Sequence, residues 1–268
     1  MPTTHPLTHF EALTFDVYGT LVDWETGIYT ALSPLLDRLH SLNPDHPYLS
    51  SRSTALRAFV THESAIQSSH PDLPYPLLLG EAYKALAEQL PVDAPSESEV
   101  ATFGASVGRW PAFPDTVDAL RRLRRFYKLV VLSNVDRASL ANSIAGPLGG
   151  TPFDRLFTAQ DVGSYKPARA NFEFLIAGVE KDLNVPKDRI LHTAQSLFHD
   201  HEPAKAVGLA SAWIARGTRE GEAESIMGGK IDEFEGRVNF SWKFHSMGEM
   251  ADAVEAAFRE EGLEPRRP

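Results

Sequence analysis

Apolar and polar positions fall into two textures along the chain. From Trp24 to about Val107, apolar residues recur at helical spacing: Ile28, Leu32, Leu35, Leu36 and Leu39, then Leu56, Phe59 and Val60, then Leu77, Leu78, Tyr83 and Leu86. Prolines at 44, 47, 71, 74, 76, 91 and 95 interrupt that pattern, so the stretch reads as a set of short helices. After Trp110-Pro111 the texture alternates. The pattern predicts helices over 115–125, 137–144, 169–183 and 200–206, with strands over 129–132, 156–158, 190–193 and 210–214 between them. A last helix is expected over 247–258.

Residues 10–15 form a short apolar, β-prone run that stops at Asp16, and Tyr18-Gly19-Thr20 breaks it, as a strand running into a tight loop does. Regular strand–helix alternation implies right-handed crossovers and a parallel sheet. The first strand must join that sheet, so the expected fold is α/β, a Rossmann-like parallel core with helices on both faces. The helical stretch is inserted after the first strand. Residues 1–23 and 110–268 are then the core domain and 24–109 a helical cap. The Gly- and Glu-rich stretch 217–237 has no clear period and reads as a surface excursion.

Charge and composition narrow the function. A net charge of −10 disfavours nucleic-acid and anionic-membrane partners, and the Arg121–Arg125 run reads as a solvated helix face. With no cysteine there is no disulfide, thiolate nucleophile or Cys-ligated metal. The N-terminal residues lack the basic start and apolar run of a signal peptide, so a cytoplasmic location is the expectation.

In an open parallel sheet, reactive groups gather at the carboxyl ends of the strands. Four predicted strand ends carry polar groups: Asp16, Ser133-Asn134, Lys166, and the segment from Gln195 to Asp200. Singly each is an ordinary turn or surface residue. Together they form a candidate site.

These residues resemble the haloacid dehalogenase-like hydrolase superfamily through Asp16-Val17-Tyr18-Gly19-Thr20-Leu21, Leu132-Ser133-Asn134, Tyr165-Lys166-Pro167 and the Asp200 region continuing to Gly208-Leu209. The resemblance implies that Asp16 is a nucleophile, Lys166 balances charge and Asp200 completes the catalytic set. It implies that Ser133, Asn134 and groups near Tyr18 and Thr20 hold a small anionic substrate. Phosphatases of this superfamily place an Asp where this chain has Tyr18, and a phenol is a poor proton shuttle at neutral pH. They also carry two acids in the fourth motif where this chain has Gln195 and Asp200, a set that binds Mg²⁺ weakly. Both features resemble the type II 2-haloacid dehalogenases, which need no cofactor. A homodimer is expected by the same resemblance.

Several positions depart from the dehalogenase pattern: Gln195 and Leu197 stand where small polar residues are usual, and Phe172 where a Tyr is usual. For the halide-receiving arginine of the cap, Arg57 is nearest by position, with Arg52 behind it. His192, His199 and His201 have no zinc-like spacing and read as structural groups, with His199 near the site. Trp24, Trp213 and Trp242 read as core, while Tyr75, Leu78 and Tyr83 fit either pocket lining or cap core. Three readings follow: a 2-haloacid dehalogenase working through an ester on Asp16, a Mg²⁺-dependent phosphatase, and a catalytically idle ligand-binding protein.

Overall fold

The computed structural model of the chain describes residues 5–217, 226 and 231–266. Its centre is a six-stranded, all-parallel sheet in the order β3-β2-β1-β4-β5-β6. The strands are β1 (Ala12–Phe15), β2 (Lys128–Ser133), β3 (Arg155–Thr158), β4 (Ile190–Ala194), β5 (Ala210–Ile214) and β6 (Trp242–Phe244). β1 lies between β2 and β4, in register Phe15 with Val131 and Thr193. This puts Asp16 at the centre of the carboxyl edge, where the strand order reverses.

Because side chains alternate along a strand, the sheet feeds two apolar cores. Leu13, Phe15, Leu129 and Val131 join one core with α7 (Thr116–Leu123) and α12 (Met247–Glu260). Ala12, Val130 and Leu132 join the other with Phe172, Leu175 and Val179 of α10 (Arg169–Leu183). All four β1 residues are fully buried, which is why the strand reads as a continuous rather than an alternating run.

The segment after β1 is helical, as its periodicity predicts: α1 (Trp24–Ala31), α2 (Ser33–Leu42), α3 (Pro47–Ser50), α4 (Arg52–Ser69), α5 (Tyr75–Glu88) and α6 (Glu97–Gly104). Capping explains their starts. Asp23, Ser51 and Ser96 each accept from a backbone N–H in the first turn of α1, α4 and α6. Tyr83 stacks on Phe103 with ring centroids 4.5 Å apart, so it belongs to the cap core, as does fully buried Leu78. Leu77 is 58% exposed; the buried stripe of α5 runs through Leu78, Leu79, Ala82 and Tyr83 instead.

Two chain crossings join the helices to the sheet. Val22 and Ala112 form an antiparallel bridge, Asp23 N–H donates to Pro111 O (2.8 Å) and Phe113 N–H donates to Leu21 O (3.0 Å). The two crossings thus lie side by side as a hydrogen-bonded pair.

Three expectations need correction. Residues 242–244 form β6, an edge strand of three residues too short to show a period. The stretch 217–237 lies partly outside the described residues, but its described part is no mere surface excursion. Phe234 is buried against Leu197, Trp213 and Ala215, and Ile226 N–H donates to Glu25 Oε1 of α1 at 2.7 Å. Between β4 and β5, Leu197–His201 makes a π-type turn before α11 (Glu202–Ala206), where a single helix was expected.

Candidate active site

Asp16 leaves β1 and is followed by a loop closed on itself: Leu21 and Val22 N–H both donate to Val17 O (2.8 and 2.9 Å), and Gly19 N–H donates to Val22 O (2.8 Å). Gly19 sits at φ 102°, where a side chain would be strained. The loop sends Thr20 back so that its hydroxyl donates to Asp16 Oδ2 at 2.7 Å, and Gln195 N–H donates to Thr20 Oγ1 at 2.9 Å. Arg216 Nε donates to Thr20 O (2.7 Å) and its guanidinium pairs with Asp115, pinning the loop from outside.

Lys166 joins the two acids. Its Nζ lies 2.8 Å from both Asp16 Oδ1 and Asp200 Oδ1, and donates to Leu132 O at 3.2 Å. At 2% exposure Lys166 is nearly dry. Burial works against its charge, but Asp16 and Asp200 outweigh that and raise its pKa, so it is a fixed cation. Burial raises the pKa of Asp16 above the ordinary carboxylate value, with Lys166 opposing. For Asp200, burial is overcome by Lys166 and by His192, whose Nε2 lies 2.9 Å from Oδ1, and the pKa falls well below the usual range. Asp200 Oδ2 is buried without a hydrogen-bond partner.

Asn134 also ties the site together. Its Oδ1 accepts from Lys166 N–H (2.7 Å) and its Nδ2 donates to Lys166 O (3.0 Å), so the amide clasps the lysine backbone while lining the pocket. Ser133, at the end of β2, is buried with no hydrogen-bond partner for its hydroxyl and is not among the lining residues. Tyr18 lines the pocket, but its hydroxyl pairs with Ser143 Oγ at 2.8 Å and its ring packs edge-on against Trp110. Burial raises the phenol pKa far above its ordinary value.

The carboxyl edge and the cap enclose a cavity of about 260 Å³. Asp16, Lys166, Gln195 and Asp200 form part of its floor, with Ser196 and His199 beside them. His199 is held below its ordinary pKa by burial, so its imidazole is neutral at pH 7. From the cap come Trp24 and Tyr75 and a stripe of α4: Val60, Glu63, Ser64 and Gln67, spaced so that they share one face.

Trp24 is therefore a pocket residue rather than plain core, whereas Trp213 is core and donates from Nε1 to Gln195 O at 2.9 Å. Thr20 is fully buried behind Asp16 and is not among the lining residues. Arg57 is exposed on α4 and lies outside the lining, and Arg52 donates to Thr26 Oγ1 at 2.9 Å near the start of α1. Lys166 is the sole Lys or Arg among the described lining residues. The periodicity of α4 marks its core side, Leu56 and Phe59, and gives no sign of which residues face the cavity. Sequence reasoning also missed Glu63 and the bond from His192 to Asp200, which only the folded helices and strands bring into place.

A Mg²⁺ ion does not fit this donor set. Asp16 and Asp200 both turn an oxygen to the Lys166 ammonium, the other Asp16 oxygen accepts from Thr20, and Gln195 is neutral. Among the described residues no group of three or more His, Asp or Glu could hold a metal ion.

Comparison with known proteins agrees with this architecture. Residues 10–193 match the family model for a haloacid dehalogenase-like hydrolase. The chain is similar to the 5-amino-6-(5-phospho-D-ribitylamino)uracil phosphatase YigB of Escherichia coli strain K12, with 27% identity over 224 residues, 78% of this chain and 85% of that protein. Its fold is similar to the L-2-haloacid dehalogenase of Xanthobacter autotrophicus (TM-score 0.67, 20% identity, 92% of this chain and 98% of that one). It is also similar to the defluorinating L-2-haloacid dehalogenase Rha0230 (TM-score 0.69, 20% identity, 92% and 95%).

Proposed function

The chain belongs to the haloacid dehalogenase-like hydrolase family, and from that premise we propose that it hydrolyses its substrate through an ester on Asp16, with a leaving group that departs as a stable anion. The finer reading is a 2-haloacid dehalogenase that cleaves the carbon–halogen bond of short 2-halo carboxylic acids. One observation carries it: the residue two positions after Asp16 is Tyr18, whose hydroxyl is engaged by Ser143 and whose proton is held too tightly to serve an alkoxide. A halide needs no proton.

In the first step an Asp16 oxygen bonds to the carbon bearing halogen while the carbon–halogen pair leaves with the halide. Lys166 keeps Asp16 ionised and holds its orientation. Water then attacks the ester carbonyl, its proton passes to a base, and the 2-hydroxy acid leaves with inversion at carbon. His199, neutral and facing the cavity, is the group able to take that proton, and Asp200 orients the water through its unpartnered Oδ2. Backbone N–H groups of the loop after Asp16 would hold the substrate carboxylate. No step requires a metal.

A phosphomonoester is the second reading, favoured by the YigB relative. Halide release from 2-chloropropionate, measured with and without EDTA beside phosphate release from a phosphoester panel with and without Mg²⁺, separates the two. Single turnover of the halo acid in ¹⁸O water tests the carbon-ester mechanism of the first reading. The label belongs on Asp16 and not in the first product, and Asp16→Asn abolishes turnover; solvent oxygen in the first product would make Asp16 a general base instead.

A further inference from the structure

Taking the Asp16 cavity as the substrate site, we propose that Glu63 and Tyr75 form a recognition site in the cap for a hydrogen-bond donor carried by the substrate at the end remote from its reacting carbon. The donor is a hydroxyl or an ammonium group.

The argument starts from what an alkyl haloacid would need. A pocket for a short hydrocarbon tail wants an apolar roof, because each buried polar group without a partner costs free energy. The α4 stripe over this cavity begins with Val60 but continues as Glu63, Ser64 and Gln67. Glu63 is the exceptional member. The Tyr75 hydroxyl donates to its Oε1 at 2.6 Å, and no salt bridge or second hydrogen bond to Glu63 occurs among the described residues. A carboxyl so placed has one oxygen fixed in direction by Tyr75 and the other uncommitted, on the wall of a cavity.

Charge excludes the opposite ligand. Among the described residues, three carboxyl groups line the cavity: Asp16 and Asp200 share Lys166, and Glu63 pairs with no Lys or Arg. A second anionic group on the substrate would meet repulsion at this wall and a donor would meet an acceptor. Burial raises the pKa of Glu63, with the Tyr75 hydrogen bond opposing, so an incoming ammonium restores to the carboxylate the partner that the fold withholds.

The test uses unreactive ligands, so it does not depend on which bond the enzyme breaks. Hexanoate, 6-hydroxyhexanoate and 6-aminohexanoate are titrated into the wild-type protein by calorimetry. The two donor-bearing acids should bind about tenfold more tightly than hexanoate. Glu63→Gln should keep the preference for the hydroxyl and lose that for the ammonium, Glu63→Leu should lose both, and Tyr75→Phe should weaken both. Thermal melting checks that each variant is folded, and the near-isosteric Glu63→Gln carries the test if Glu63→Leu is not. Three ligands that bind alike or not at all to the wild type, or a preference that survives Glu63→Leu, overturn the proposal.

Halide release from 2-chlorohexanoate and 2-chloro-6-aminohexanoate is measured in parallel. Selective binding without halide release upholds the site and refutes the dehalogenase reading. Equal release from both without selective binding does the reverse.

Discussion

His192 Nε2 lies 2.9 Å from Asp200 Oδ1, and Thr14 Oγ1 lies 2.8 Å from the other ring nitrogen. A carboxylate only accepts, so in the neutral ring Nε2 carries the proton and Nδ1 takes the threonine hydroxyl. Asp200 is thus held at one oxygen by His192 and Lys166, leaving Oδ2 as its free acceptor. His192→Leu should loosen Asp200 and slow ester hydrolysis roughly ten- to a hundredfold, the effect of losing a hydrogen bond to a charged group, with kcat and KM falling together and kcat/KM little changed. Intact-protein mass spectrometry should then show the ester accumulating on Asp16. A slow enzyme without that accumulation would place His192 in the first step or in folding alone.

Lys166 sets the acid limit of activity. Burial raises the Asp16 pKa and Lys166 is the main influence lowering it, so removing the cation leaves burial and Asp200 opposed only by the Thr20 hydrogen bond. Lys166→Met should move the acid limb of the kcat/KM profile to higher pH, because Asp16 then protonates earlier as pH falls. Its stability should also drop by about 3–5 kcal/mol, as for other broken buried ion pairs. An unmoved limb in a folded variant would show that a different group governs it.

His201 makes the fold sensitive to acid. It is fully buried between Ala194 O and Ser211 Oγ, both 2.9 Å away, and burial lowers its pKa to about 4. A lowered pKa means that the unfolded chain binds this proton first. The contribution is complete above the unfolded value of about 6.5 and is lost as pH falls from there to about 4, amounting to up to about 3 kcal/mol. Urea unfolding at pH 7 and pH 4.5 should show the loss, and His201→Gln should show a smaller difference between the two.

Gly27 leaves room for Trp110. A Cβ built at Gly27 would lie 2.1 Å from Trp110 Cγ, and Trp110 in turn packs against Tyr18. Gly27→Ala should therefore displace Trp110 at the junction of helices and sheet, costing about 1–3 kcal/mol and disturbing the pocket wall at Tyr18. Thermal unfolding with tryptophan fluorescence reads both effects. A variant as stable as the wild type would show that the junction yields freely.

Much of the fold was legible because burial writes itself into period. The helix 169–183 and the strand 210–214 follow their patterns to the residue, since each presents a continuous apolar surface to the core. β6 was not legible, because three residues at a sheet edge carry no period. Leu77 shows the limit from the other side: it fits the helical spacing of its neighbours, yet the packing of α5 turns it to solvent.

The candidate site divides in the same way. The chain order of Asp16, Ser133-Asn134, Lys166 and Asp200 at successive strand ends already required them to meet, because parallel strands place their carboxyl ends on one edge. Their division of labour was not in that order. Asn134 clasps Lys166, Thr20 supports Asp16 from behind, and Glu63 rather than Arg57 faces the cavity from α4. Sequence alone determined what recurs every two or 3.6 residues and which strand ends must converge. The rotation and sliding of the cap helices over the sheet, and the direction of each hydrogen bond, were decided only by tertiary packing, because contacts between residues distant in the chain leave no period to read.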